Sequence, residues 1–406
     1  MVAILKNNEK LTSYYFYTTF LKEVAREIKE HDEINFIFVE NGDNLIYDSN
    51  YKIEPTVIPM LLSLTEQLSK FFQKPINLSL YNNIASKEVL NFLYKCDFFS
   101  VAGKNSNGKF PKGRNILKFN EVMLGDLLNK DPRLEHKVRS YSLEDDDLKN
   151  KILKFDKDDE KRDFLISEYV YIVRDHFKDL LFDNSNTSDK ADYYIKLLSE
   201  LITNGVLHSK SNTFALMFVN RFSTKFSISD NGIGFEKSLQ CKTESFLYKP
   251  FYLKDKIEKM GLLNVNSKIV NNLHVIIETL YFSALKDRKG LFDLMISVVL
   301  NSGGYFRLHS DNSQIIISSR MNRELSELNI LRQKLFNYYI EILVNKITDD
   351  RYDAKMIILK NEIFDCFVDF YKNLCDKYNN DFRYSSIRFY GVKFKGVHIE
   401  VEIPNA

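Results

Sequence analysis

The sequence predicts an α/β protein of two or three domains, and three observations lead there. The chain is 406 residues long, more than one hydrophobic core usually supports. Its first hundred residues alternate strand-like and helix-like runs, the pattern of a small α/β unit. Its texture then changes twice, to a charged stretch near residue 150 and to a helix-rich stretch at 320–379, before closing on an alternating strand.

Taken in order, residues 12–31 predict a helix, and INFIFVE (34–40) alternates apolar and polar side chains as a half-covered strand does. NLIYD (44–48) reads as its hairpin partner. PTVIPMLLSLTEQLSKFF follows with Leu61, Leu64, Leu68 and Phe71 at helical steps of three and four. INLSLY (76–81) predicts a strand, SKEVLNFLYKC (86–96) a helix, and FFSVAG (98–103) is apolar. EDDDLKNKILKFDKDDEKR (144–162) mixes charges of both signs with few apolar residues, which suits a solvated linker or exposed helix, and a domain boundary is expected in or before it. Two helices are predicted at 160–183 and 188–209, then strands TFALMFVNRF (213–222) and TKFSISD (224–230). Helical segments at 252–300 precede two short strands, YFRLHS (305–310) and QIIISS (314–319). In the helix-rich stretch Leu328, Leu331, Leu335, Tyr338 and Ile342 form one apolar stripe, expected to pack on its own domain, to pair with a second copy or to dock a partner. The last strand is VKFKGVHIEVEIP (392–404).

Composition bounds the class more than the function. A 44% hydrophobic and 28% charged chain is ordinary for a globular protein, and no apolar run approaches the ~18 residues of a membrane span. The start, MVAILKNNEK, breaks its apolar residues with Lys6, Asn7, Asn8 and Glu9, so a cytoplasmic protein without membrane association is expected. Cys96, Cys241, Cys366 and Cys375 show no paired spacing, which suggests reduced thiols rather than a disulfide framework or a zinc site. A net charge of +2 carries no electrostatic footprint for nucleic acid.

Two stretches carry candidate chemistry. In SELITNGVLHS (199–209), residues four apart share a helix face, so Lys196, Glu200, Asn204 and His208 form a polar stripe beside an apolar one of Tyr194, Leu197, Leu198, Leu201 and Ile202. A solvated face of an amphipathic helix has the same pattern. In TKFSISD the period of two puts Phe226, Ile228 and Asp230 on one face of the strand. If that face is covered, Asp230 needs donors, because an uncompensated buried polar group costs about 2–7 kcal/mol and a charge more. An adenine amino group with water would supply them, and Gly232 and Gly234 would admit a flat ligand close to the backbone. Asp-Asn-Gly is equally ordinary turn chemistry.

Together the two stretches resemble the N-box and first glycine box of the GHKL ATPases, the superfamily of gyrase-type topoisomerases, histidine kinases, MutL and the anti-sigma kinases. The resemblance spans about 185–320 and 390–404. It implies an ATP-binding α+β sandwich with helices on one face of a mixed sheet over 185–406, interrupted by the insertion at 320–379. It also implies Glu200 as the residue that activates water, Asn204 as a Mg²⁺ ligand, Asp230 as the acceptor of the adenine amine, and His208 as a neighbour of the phosphates. ETLYFSALKDRKGLFDLM (278–295) is similar to the end of the ATP lid and the second glycine box, which assigns Gly290 and Leu291 to phosphate binding at a helix N-terminus. Lys289 precedes a single glycine there, where the family has the fuller GxGL pattern. SGGYFRLHSDN (302–312) and KGVHIEVEIP (395–404) resemble the strands that follow, with Val397 where threonine is usual. The N-terminal unit resembles the STAS-like modules found beside such ATPases, and KIEPTVIPM (52–60) offers only Thr56 where many of those carry a phosphorylatable serine.

The resulting expectation is a STAS-like domain at 1–110, a linker with lead-in helices at 111–184 and the ATP-binding domain at 185–406, using ATP and Mg²⁺ to switch a protein partner or a homodimer. The alternative is a non-hydrolysing nucleotide-gated module or an anti-sigma-type protein kinase. A sensor histidine kinase is the less suitable reading. His176 in VRDHFKDLL is the one histidine placed for phosphorylation, it lacks the rest of an H-box, and it reads as a surface histidine.

Overall fold

The computed structural model describes residues 1–6, 8–40, 51–81, 84–104, 111–127, 136–208, 211–345, 350–379 and 385–405. The hairpin partner expected at 44–48 lies outside them. The polypeptide forms two compact units, the first made of Met1–Gly232 with Tyr390–Phe394 and Asn405–Ala406, the second of Ile233–Phe389 with Lys395–Pro404. The division falls inside SDNGIGF, between Gly232 and Ile233.

The first unit begins with a parallel sheet of β1 (Val2–Leu5), β2 (Asn35–Val39), β3 (Ile76–Ser79) and β4 (Leu117–Lys118), hydrogen-bonded in that order. Parallel neighbours need crossovers. They are supplied by α1 (Leu21–Glu30), α2 (Ile58–Phe72), and the pair α3 (Ile84–Lys95) and α4 (Phe98–Ala102). The apolar FFSVAG is thus a helix. Pro55 and Pro59 stand at the head of α2, where a missing N–H costs little, and Gln73 closes it in the left-handed conformation at φ 55°.

Residues 111–184, expected as linker and lead-in helices, carry β4, the strand β5 (His136–Tyr141) and the helix α5 (Asp158–His176). β5 pairs antiparallel with β6 (Thr213–Val219), which pairs antiparallel with β7 (Ser223–Asp230). The register aligns Tyr141, Thr213 and Asp230 across the three strands. Helix α6 (Ala191–His208) lies on one face, where the Tyr194 ring meets Phe226 at 5.2 Å. The other face is covered as well: the Ser227 hydroxyl donates to the Thr56 carbonyl at 2.6 Å, and Asn231 donates to the Ser63 carbonyl of α2 at 3.0 Å. The expectation of helices on one face is therefore corrected to helices on both faces of this sheet. Seven of the eight residues of β7 are buried, the mark of a strand covered on both sides, and small serines let α2 approach where larger polar side chains would hold it off.

The second unit contains α7 (Gly234–Gln240), α8 (Tyr252–Met260), α9 (Ser267–Ala284), α10 (Leu291–Ile296), β8 (Tyr305–Ser318), α11 (Asn322–Asn345) and α12 (Asp350–Asp376). It also holds residues 395–404 of β9 (Ile387–Pro404), the sheet neighbour of β8. The two short strands expected at 305–319 are one. Helices α11 and α12 form the helix-rich stretch expected at 320–379, and they pack on their own unit. Leu328 and Leu335 are buried, Phe367 meets Tyr281 at 5.5 Å and Phe292 at 5.8 Å, and the His274 ring hydrogen-bonds the Tyr371 hydroxyl at 2.8 Å. No helix among the described residues is long and apolar enough to cross a membrane.

Candidate functional site

Helix α6 presents the stripe predicted for it. Tyr194, Leu197, Leu198, Leu201 and Ile202 are buried, which fixes the helix on the sheet through its apolar face. Glu200 is also buried, at 5% exposure, whereas Asn204 is half-exposed. A wholly solvated polar face is thus excluded at Glu200. Its carboxylate meets the Arg162 guanidinium of α5 at 3.5 Å. Arg162 belongs to the charged run expected as a solvated linker or exposed helix; it lies on a helix, and its side chain is only 13% exposed. His208 closes α6, and its side chain lies outside what the structure describes.

The C-terminal half of α6 runs close over the end of β7. A Cβ built on Gly205 would stand 2.7 Å from Cγ2 and 2.8 Å from Oγ1 of Thr213, nearer than real Cβ contacts come. Thr213 is the register partner of Asp230. Residue 205 must be glycine for the helix to approach, and the approach brings the backbone beside Asn204 to the Thr213–Asp230 pair. Thr213 is fully buried, and its hydroxyl has no hydrogen-bond partner among the described residues. Asp230 is 6% exposed, and its Oδ1 accepts the Gly232 N–H at 2.7 Å, a local Asx turn. Glu200 and Asn204 thus belong to the helix that approaches the Thr213 end of the β5–β7 sheet, and Asp230 and Gly232 close the strand paired with Thr213, all within the first unit.

In the second unit, Gly234 opens α7 with φ +76°, a conformation that favours glycine. Gly290 and Leu291 head the six-residue α10, and two N–H groups of this turn are occupied. The Gly290 N–H donates to Asp293 at 3.0 Å, and the Phe292 N–H donates to the Ser283 hydroxyl at 3.0 Å. The buried Arg332 binds Asp293 through two nitrogens at 3.2 Å and donates to the carbonyls of Lys286 and Arg288 at 2.6 and 2.7 Å. A carboxylate of the chain thus stands where the resemblance implied a phosphate. Within the expected lid, α8 is held by the buried Glu278 of α9, which accepts the Lys254 N–H at 2.8 Å. Burial raises the pKa of this carboxyl.

A separate cleft of about 220 Å³ in the first unit is lined by residues including Lys112, Arg139, Tyr141, Asp145, Tyr169 and His176. Its charges are satisfied internally. Arg114 and Lys112 engage Asp145, and Arg139 engages Asp97 at 2.6 Å. His176 is not the surface histidine expected. Its Nδ1 lies 3.1 Å from the Tyr141 hydroxyl, and burial first, then Arg139, lowers its pKa to about 3, so the ring is neutral at pH 7.

Sequence reasoning missed Thr213, Arg162 and the part of Asn231 in the packing of α2. Thr213 was legible in principle as the first residue of a strand antiparallel to TKFSISD. Arg162 carries no local signal. Compared with known proteins, the chain matches no family model, no curated protein and no solved structure.

Proposed function

We propose that the chain is an ATP-binding protein of the GHKL type that hydrolyses Mg-ATP to switch a partner or its own N-terminal layer. The observation that carries this is the packing of α6 on the Asp230 face of the sheet, with Gly205 against Thr213. The first unit thereby offers a carboxylate for a purine amine, a buried hydroxyl with hydrogen-bonding capacity beside it, and an amide and a second carboxylate at one-turn spacing on the covering helix.

Each group suits its role. Asp230 accepts an exocyclic amine, as a charged acceptor in a covered site does strongly. The Thr213 hydroxyl both donates and accepts, and so completes recognition of a purine edge directly or through one water. The half-exposed Asn204 amide supplies one hard oxygen. Mg²⁺ needs few protein ligands, because it commonly keeps several waters and takes phosphate oxygens, so Asn204 alone would suffice as the protein's contribution. Mg²⁺ would supply charge neutralisation between phosphates. Glu200 takes the proton of the attacking water, and Arg162 fixes the direction of its carboxylate. Gly290 is left out because Asp293 takes its N–H, and the neighbouring Leu291 is left out with it because Ser283 takes the next N–H of the turn, that of Phe292.

The Arg162 contact also favours a second reading, a nucleotide-gated module or protein kinase with slow or no hydrolysis, because a carboxylate engaged by a guanidinium is directed at that partner rather than at a water. Steady-state phosphate release separates the two. Glu200→Gln is expected to lower turnover by about 10²–10⁴-fold, the usual worth of a general base, with ATP binding retained. Equal, negligible release by wild type and variant, both binding ATP, would select the second reading. Failure of wild type to bind ATP removes both.

A further inference from the structure

Asn231, the residue after the Asp230 carboxylate, faces the opposite side of the sheet and is held by α2. Its Oδ1 accepts from the Ser63 hydroxyl at 2.5 Å and from the Gln67 amide at 2.6 Å. Its Nδ2 donates to the Ser63 carbonyl at 3.0 Å and to Glu66 Oε2 at 2.6 Å. Two donors and two acceptor positions are all that an asparagine amide has, and all are engaged. The Glu66 carboxylate only accepts when ionised, so it fixes which end of the amide faces it. Glu66 Oε1 in turn accepts the Asn212 side-chain amide at 2.8 Å and meets Lys70 at 2.9 Å. Asn212 immediately precedes Thr213. One turn of α2 therefore holds the neighbour of Asp230 and the neighbour of its strand partner together, in a network whose central members, Glu66 and Asn231, are 3% and 5% exposed.

We propose that α2 is the output element of the nucleotide site, with Asn231 as the positioning residue that couples occupancy at Asp230 and Thr213 to the N-terminal layer. This rests on the ATP-binding function proposed above. A buried network with every member satisfied has no slack. A ligand that draws Asp230 or Thr213 toward it must stretch bonds to α2 or carry α2 with it. Coupling of this kind is reciprocal, so α2 sets nucleotide affinity by the factor with which nucleotide stabilises α2. A network serving only as glue would be indifferent to nucleotide.

Hydrogen–deuterium exchange of the full chain with and without Mg-ATP tests this, with ATP binding titrated on the same sample. Wild type is expected to show exchange in residues 58–72 changed by about 5-fold or more on saturation, the lower range of measured couplings. The Ser63→Ala/Gln67→Ala variant, which frees Asn231 Oδ1, is expected to bind ATP and lose that response. Bound ATP with unchanged exchange across 58–72 in wild type overturns the coupling, as does a full response in the folded variant. If the variant fails to fold, the wild-type comparison decides alone. Absence of ATP binding appears in the titration rather than in exchange, and it overturns the nucleotide function together with the coupling built on it.

Discussion

The end of β7 and the head of α10 are both glycine-containing turns beside an aspartate, and they treat their polar groups in opposite ways. At α10 the groups close on one another: Asp293 takes the Gly290 N–H, Ser283 takes the Phe292 N–H, and Arg332 covers Asp293 and two carbonyls. At β7 the Asp230 carboxylate is buried beside the Thr213 hydroxyl, which no described residue satisfies. The turn at α10 is closed by its own partners, whereas beside β7 the Thr213 hydroxyl has none among the described residues, and that is the capacity the proposed ATP site would use. Similar residue types in similar turns therefore differ in how far long-range partners close them.

The comparison breaks most visibly if the α10 turn is opened. Arg332→Ala leaves two carbonyls without their donor and Asp293 with only the Gly290 N–H, and removal of one member of a buried ion pair costs about 3–5 kcal/mol. Urea denaturation should show that loss, and ATP affinity below the unfolding transition should be unchanged. A fall in affinity with little change in stability would move the phosphate site back to α10.

A smaller effect is expected at Gly205. Gly205→Ala sets a methyl against the buried, β-branched Thr213, and overpacking of this kind costs about 1–3 kcal/mol. Thr213→Ala in the same chain should restore part of the loss, since it removes the two atoms struck. No recovery in the double variant would show that α6 does not lie on Thr213 as described.

The smallest effect concerns Glu278, the clamp residue of α8. Burial raises its pKa, so over the window above the ordinary carboxylate value the folded chain keeps a proton that the unfolded chain has lost. Stability then falls as pH rises through that window, because the folded state binds more protons. Glu278→Gln keeps an acceptor for the Lys254 N–H and removes the titration. Near-unchanged stability at acidic pH, and a gain of under about 1 kcal/mol at neutral pH, are expected in thermal unfolding. The opposite slope would show that the carboxylate is better solvated than its surroundings suggest.

Periodicity made much of the fold legible. Helices α2, α5, α6, α11 and α12 and strands β2, β3, β6, β7 and β9 lie where apolar spacing predicts them, because local pattern and burial agree there. Strand β5 was not legible. HKVRSY looks polar until Asp97 and Asp179 pair with Arg139 and Lys137, and neither aspartate is near in sequence. The single strand β8 spans both short strands expected at 305–310 and 314–319, because the polar Asp311, Asn312 and Ser313 interrupt the apolar pattern without ending the strand. Asp311 does take φ +57°, but Asn272 of α9 hydrogen-bonds Asp311 and Asn312, and the strand continues through. At the candidate site, spacing gave the stripe of Glu200 and Asn204 and the acidic end of β7. It could not give Arg162, the open hydroxyl of Thr213, or the closure of the α10 turn by Arg332, all of which depend on partners brought in by tertiary packing.

In the proposed function Asp230 grips a purine amine. Isothermal titration of the full chain and of Asp230→Asn with Mg-ATP tests it most directly, with melting temperatures recorded alongside. Replacement of the charged acceptor by an amide should weaken ATP binding by about 10–100-fold, the worth of a hydrogen bond to a charged group, and leave the fold intact. Equal affinity of wild type and variant, or no binding by a folded wild type, would contradict it.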